Sequence, residues 1–430
     1  MNREILRLAV PNILSNISVP LLSTVDTMLM GRESAAHLGA VGLGAMIFNF
    51  IYWNFGFLRM GTTGLTAQAY GRKDDLESGR VLGRALLVAV LVAGLLVALQ
   101  RPLGMLSFWL LAAQPEVQPL VSTYFFTRIW AAPATLGLYA FLGWFFGMQN
   151  AVLPLVLTIL INVVNIALSV VLVRIWGWGV YGVALGTVLA QYAGLLLAVL
   201  FISWRYRSYS RGLVDRLVLQ KEALIRFLRL NGDILLRTFC LTLAFGFFYS
   251  RSSAYGELVL AANVILLQYL NWMSYGIDGF AFAAESLVGK YAGAGEDAQT
   301  RKAIRYAFAW GMGLAVLYSL IYGFFGEALL YVFSDEQAVV RTTVPFLFWM
   351  VLFPLLGTPC YLWDGVFIGL TATRAMRNSM LLALLIYLGV YALAAPHGQN
   401  HGLWLALLVF LVARGVVQGL WYAGKGLSLR

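Results

Sequence analysis

The sequence predicts an all-α membrane protein, twelve transmembrane helices in two pseudo-symmetric six-helix halves, and three observations carry that prediction. First, 61% of the 430 residues are hydrophobic and 11% are charged, with a mean hydropathy of +0.80. That composition lies far outside the soluble range. Second, apolar stretches long enough to cross a bilayer alternate with short polar breaks, and alternating ten-residue strands are absent, so a helical bundle is expected and a barrel is not. Third, the second half of the chain, laid over the first with Asn271 on Asn49, matches it without a gap over several stretches.

The spans are expected at 6–30, 36–70, 80–100, 118–147, 151–173, 179–203, 225–250, 256–291, 303–325, 340–369, 376–394 and 402–423. Several exceed the roughly twenty residues a crossing needs, so they tilt, kink or project. The first span carries an acid where lipid tolerates none: Asn12, Ser15, Asn16, Ser23, Asp26 and Thr27 fall inside roughly 120° of helical arc. Pro20 removes the N–H that the Asn16 carbonyl needs. A carboxylate and a freed carbonyl on one stripe form an oxygen-lined place for a proton or a small cation. An Asp at the bilayer centre costs on the order of 3 kcal/mol, so Asp26 marks either a functional site or a satisfied structural acid.

Basic residues fix the orientation. The N-terminus, the even-numbered connections and the tail hold 21 Lys and Arg, from Arg3 and Arg7 to Lys425 and Arg430, and the odd-numbered connections hold five. By the positive-inside rule both termini face the cytoplasm, and the net charge of +11 is topological, which argues against a nucleic-acid partner. The connection Trp204 to Lys221 holds Arg205, Arg207, Arg211, Arg216 and Lys221. It is expected to lie against anionic headgroups and to separate an N-lobe, 1–203, from a C-lobe, 223–430, with 204–222 as the link. Nothing at the N-terminus resembles a removable leader. Cys240 and Cys360 lie in apolar segments and read as buried small hydrophobes.

The repeat pairs Asn49 with Asn271, Leu65 with Leu287, Gly71 with Gly293 and Gly104 with Gly326, and Tyr139 to Gly147 with Tyr361 to Gly369. Six spans per half is even, so the halves are parallel repeats, a plan that holds substrate at their interface. Its exceptions are informative. Asp26 falls opposite Phe248, Asp278 opposite Gly56, Glu285 opposite Thr63, and Asp364 opposite Leu142. An acid that the other half dispenses with is a better functional candidate than one the scaffold needs.

Polar clusters accompany these acids. Asn162, Asn165 and Ser169 share one face of the fifth span, and Thr187 and Gln191 lie a turn apart in the sixth, behind Gly182 and Gly186. Such groups complete a Na⁺ shell around one carboxylate, hydrogen-bond a protonated one, or simply glue helices together. In the eighth span Asn271, Ser274, Asp278 and Glu285 form a stripe. Arg59, Arg128 and Arg237 are embedded cations, which leave an anionic or zwitterionic substrate open, and Arg59 is expected to pair with Asp278 or Glu285, or within its own half with Asp26. His37, His397 and His401 sit at span ends. Phosphate loops, paired metal ligands and nucleophile elbows are missing, so neither an enzyme nor an ATP-driven pump is indicated.

Several motifs together resemble the multidrug and toxic compound extrusion (MATE) family, and its DinF-like branch in particular. They are Val25-Asp26-Thr27 with Gly31, Gly61 to Gly71, Asn162 to Ser169, and Asp278 to Gly289. The resemblance implies two lobes forming a V-shaped cleft in the inner (cytoplasmic) membrane. It implies a monomeric antiporter exchanging H⁺ or Na⁺ for cationic or amphipathic organic compounds, with no cofactor. It assigns the N-lobe ion site, with Na⁺ a candidate at Asp26, to Asp26, Asn165, Ser169 and Thr187, supported by Asn12, Asn16, Pro20, Ser23, Asn162 and Gln191. Ser169 departs from the family's second Asp, so a two-carboxylate mechanism does not transfer. Asp364 resembles an acid used in the C-lobe of some relatives, and Asp278, Glu285, Asn271, Arg59 and Arg237 are further candidates in the C-lobe or the cleft. A lipid or lipid-linked-sugar flippase of related architecture is the alternative; a major-facilitator transporter lacks its Gly-x-x-x-Asp-Arg connection here.

Overall fold

The structure, a computed structural model, describes residues 1–111 and 114–426, and their side chains except 19–24 and 111. Pro20 and Ser23 therefore lie outside the described side chains. Among the described residues all regular structure is helical. The long helices are α1 Asn2–Gly31, α2 Ala35–Gly71, α3 Asp75–Ala98, α4 Gln118–Gly147, α5 Val152–Ile175, α6 Gly179–Arg205, α7 Lys221–Ala254, α8 Glu257–Gly293, α9 Asp297–Leu330, α10 Gln337–Gly369, α11 Thr373–Gly398 and α12 Asn400–Lys425. The eleven from α2 onward are each long and apolar enough to cross a membrane. At 1.5 Å per residue α1 is about 45 Å long, also enough.

Local chemistry sets the ends and breaks. Ser34 starts α2 by accepting the His37 N–H, and Asp74 starts α3 by accepting the Glu77 N–H at 2.9 Å. Once capped, α3 propagates through charged residues that hydropathy excludes, so it begins at Asp75 and not near residue 80. α2 breaks at Phe55–Gly56. α4 tightens into a 3₁₀ turn at Ile129–Ala131, just before Pro133, and α10 does so at Val344–Phe346, around Pro345. α5 ends in a π-helical turn, Val171–Ile175.

Two compact units result, one of Leu14–Leu228 and one of Met1–Ile13 with Arg229–Arg430. They differ from the expected lobes at both edges. The mid-chain connection packs onto α3 of the first unit: a Cβ on Gly79 would lie 2.2 Å from the Tyr209 carbonyl oxygen, and one on Gly212 2.3 Å from that of Leu76. Arg80 Nη2 pairs with Asp215 Oδ2 at 2.7 Å, and Arg84 donates to the Leu217 carbonyl. Tyr206 and Tyr209 stand edge-on to Trp144, at 5.0 and 5.6 Å between centroids. At the other edge, Met1–Ile13 packs on α8 and α9. Glu4 accepts from the Tyr291 hydroxyl at 2.9 Å and from Lys290 at 3.3 Å, and Trp310 donates to Asn2. Only glycine fits at 279, where a Cβ would sit 2.4 Å from Ile13.

The repeat is visible inside each unit. A Cβ on Gly143 would meet the Arg59 carbonyl oxygen at 2.3 Å, and one on Gly365, its counterpart in the repeat, would meet that of Ala281 at 2.2 Å. Gly147 and Gly369 bear in the same way on the carbonyls of Thr63 and Glu285. Left-handed backbone recurs at the same offset: Lys73 with Gly295, Gln149 with Thr371, and Gly177 with Gln399. Close helix packing through glycine–carbonyl contacts, and the turns that end the helices, are thus common to both halves even where side chains differ.

Candidate functional site

In the first unit, α1 and α5 run in step and exchange polar contacts along their length. Ser15 donates to Thr158 at 3.1 Å, and Asn162 Nδ2 donates to the Ser18 carbonyl at 3.2 Å. Two turns further along α1 stands Asp26; two turns further along α5 stands Ser169. Rises of about 12 and 10 Å keep the two level. Ser169 is the hydrogen-bonding neighbour of the Asp26 carboxylate, and Arg128 of α4 bears on it as a cation. The Ser169 hydroxyl also reaches Asn165 Oδ1 at 3.5 Å.

This cluster is dry. Asp26 is 9% exposed, Asn165 and Ser169 0%, and Thr187 4%. Gly186 lets α6 close on α5, since a Cβ there would meet the Ser169 nitrogen and hydroxyl at 3.1 Å. Thr187, next along α6, is buried, with its hydroxyl donating to the Val183 carbonyl. Asp26 Oδ1 and Asn165 Nδ2 are buried and have no hydrogen-bond partner. A buried carboxylate oxygen without a donor is costly, which makes it a candidate place for a proton, a water or an ion.

Of the supporting stripe, Asn162 joins α1 to α5, while Asn12 turns back onto the Leu8 carbonyl at 2.9 Å and belongs with the other unit. Asn16 and Gln191 are half-buried. Arg59 lies over the Phe146 ring of its own unit, 5.9 Å from the centroid. Arg128, expected as an embedded cation but not as a neighbour of Asp26, covers the Phe48 and Tyr52 rings with its guanidinium. Its place as the sole Arg inside the fourth span was the available signal.

The second unit holds a different arrangement. Asp364 of α10 is ion-paired to Arg237 of α7 and to Arg414 of α12, the latter at 2.7 Å, and its Oδ1 accepts from Gln418 at 2.8 Å. All four side chains are less than a tenth exposed. Both oxygens are committed, and the carboxylate joins α7, α10 and α12. Glu285 is buried, Asp278 half-buried and Asn271 exposed; Asn271 donates to Gln268 at 3.4 Å. A buried amide cluster had no signature in the sequence: Asn263 and Asn400 exchange hydrogen bonds at 2.7 and 3.0 Å, and Trp404 donates to Asn263. Cys240 and Cys360 are buried and free. His397 and His401 are exposed, and His37 half-exposed.

A family model described as MatE matches the chain twice, over residues 11–171 and 234–393. The chain belongs to the MatE family. The two matches cover α1 to α5 and α7 to α11, and their bounds agree with the internal repeat to within a residue. Among relatives of this MatE chain, the DNA damage-inducible protein F of Escherichia coli (strain K12) is 36% identical over 96% of this chain and 90% of its own length. That agrees with the DinF-like motifs. The human multidrug and toxin extrusion protein 1 is 27% identical over 97% of this chain and 71% of its own. A solved outward-facing structure of a multidrug resistance MATE family transporter of the MOP superfamily superposes with a TM-score of 0.91 at 19% identity, covering 100% of this chain and 96% of that one. A MATE structure in a bent conformation gives 0.90 at 19% identity, covering 99% and 95%. At such identity these structures speak for the fold, an all-helical MATE transporter fold.

Proposed function

We propose that this MatE transporter is a secondary antiporter of the cytoplasmic membrane that expels cationic or amphipathic organic compounds, with Asp26 as the group that takes up the coupling ion. One observation supports this above the rest: Asp26 is buried with a carboxylate oxygen that accepts no hydrogen bond. A proton fills that place with one bond. Na⁺ is the second candidate, because it requires several oxygens, and the site offers one carboxylate with Asn165, Ser169 and Thr187 around it. Names of relatives point to the cargo class: the human relative is a multidrug and toxin extrusion protein. The basic-residue bias supports cytoplasmic termini.

In the proposed cycle, ionised Asp26 is held by Ser169 and faces Arg128. Uptake of a proton cancels its charge, loosens α1 from α5, and lets α1 bend at Pro20 as substrate leaves. One charge moving down 100 mV supplies about 2.3 kcal/mol, enough for roughly fifty-fold accumulation at one ion per cycle. The test is transport in proteoliposomes under separately imposed pH and Na⁺ gradients, for wild type and Asp26→Asn. Wild type driven by a pH gradient alone, with the variant uncoupled, is the expected result. A variant transporting at the wild-type rate with unchanged pH dependence excludes Asp26. Flipping of a labelled lipid with no ion dependence would favour a flippase.

A further inference from the structure

The mid-chain connection folds as a rigid basic plate, and we propose that this plate is a docking surface for anionic phospholipid of the cytoplasmic leaflet. Four observations lead there. The segment is built, not slack: the Gly79–Gly212 contact, the fit of Gly83 against the Leu213 carbonyl and the Trp144–Tyr206–Tyr209 cluster bind it to α3 and α4. Its charge is lopsided. Between Trp204 and Lys221 stand five basic residues and one acid, Asp215. That acid is already spent on Arg80, which lies outside the segment. Arg205, Arg207, Arg211, Arg216 and Lys221 are all exposed, and they outnumber the nearby acids, Asp215 within the segment and Asp75 beside Tyr209.

Apolar groups of the same segment are exposed with them. Trp204 is 80% exposed, Val214 81% and Leu219 66%. A soluble surface would bury or replace such groups, whereas a headgroup interface accepts Trp and aliphatic side chains at the level where phosphates meet chains. Basic and apolar groups interleaved on a preformed surface at the cytoplasmic end of α6 match a phosphodiester headgroup above and acyl chain below. Each basic group near an anionic leaflet strengthens association about fivefold. The partner is accordingly a negatively charged phospholipid, held by the cytoplasmic ends of α3 and α6 and the connection between α6 and α7.

The full chain is reconstituted in nanodiscs of phosphatidylcholine with a minor share of phosphatidylglycerol, and lipid retained after extraction is counted by native mass spectrometry. Wild type is compared with Arg207→Gln/Arg211→Gln/Arg216→Gln and with the Lys triple at the same positions. The expected result is a phosphatidylglycerol preference that falls on the order of a hundredfold in the Gln triple, survives in the Lys triple, and weakens at high salt as surface charges are screened. An unchanged melting temperature establishes that the Gln triple is folded; an intact fold with the preference unchanged overturns the proposal. So does a wild type that shows no preference. If the Gln triple melts early, Trp204→Glu, at an exposed position with no packing to lose, replaces it: loss of the preference supports docking, and its persistence overturns it.

Discussion

Replacing Asp364 with Asn isolates the brace in the second unit. The substitution keeps shape and removes the charge, leaving Arg237 and Arg414 buried without the carboxylate that pairs with both. Removing one partner of a buried pair costs about 3–5 kcal/mol, most of it the desolvated charge left behind. Here two cations are left, and the Gln418 bond to a charged acceptor weakens too, so the upper part of that range applies. For a unit of this size the cost corresponds to a drop of roughly 10 °C in melting temperature. The assay is thermal unfolding of purified protein in detergent. A companion variant, Arg237→Met/Asp364→Leu/Arg414→Met, removes every charge at once and places at 364 the residue type that stands at Leu142 in the other half. It is expected to recover most of the loss, because buried ion networks replaced by apolar side chains are often neutral in stability. An Asp364→Asn protein that melts like wild type refutes the reasoning; if it also loses ion coupling, Asp364 carries the ion and is not a brace.

Gly365→Ala and Gly143→Ala force a Cβ to within 2.2 and 2.3 Å of a backbone carbonyl, so each loses about 1–3 kcal/mol in melting experiments. Gly246→Ala, with open space around it, is neutral or stabilising by up to about 1 kcal/mol. Gly186→Ala presses on Ser169 and is expected to lower the transport rate and shift its pH dependence while moving the melting temperature little. The Leu217 N–H and the Arg80 side chain hold the Asp215 carboxyl below its usual range. Because the folded value is lowered, the connection's contribution is complete at neutral pH and is lost only as acid takes the pH below about 4. Limited proteolysis of residues 205–220 should therefore be unchanged from pH 8 to 5, and Asp215→Asn should be cut faster at any of those pH values.

Spans and repeat were legible because each writes itself locally: hydropathy in long runs, glycine where helices touch. The face that unites Asn162, Asn165 and Ser169 was legible for the same reason, since helical periodicity places residues on a side. Periodicity does not say which helix stands opposite. So the approach of Arg128 to Asp26 went unread, as did the joining of Arg414 and Gln418, a whole helix further along the chain, to Asp364. The domain edges were misplaced for a related reason. Composition marks a basic stretch as a link, but only the glycine contacts of Gly79 and Gly83 reveal that the link is docked.

Met1–Ile13 is made well before α8 and α9, yet its resting place on Gly279, Lys290, Tyr291 and Trp310 belongs to them. The opening turns of α1 must wait, membrane-inserted and without their final neighbours, while α2 through α8 are still being made. Cutting the gene at the mid-chain connection would therefore not yield two self-sufficient pieces. The leading fragment would carry a hook with no eye, and the trailing one a vacant groove along α8, so co-expression of both, with the hook on the leading piece, is the smallest division of the molecule that can assemble.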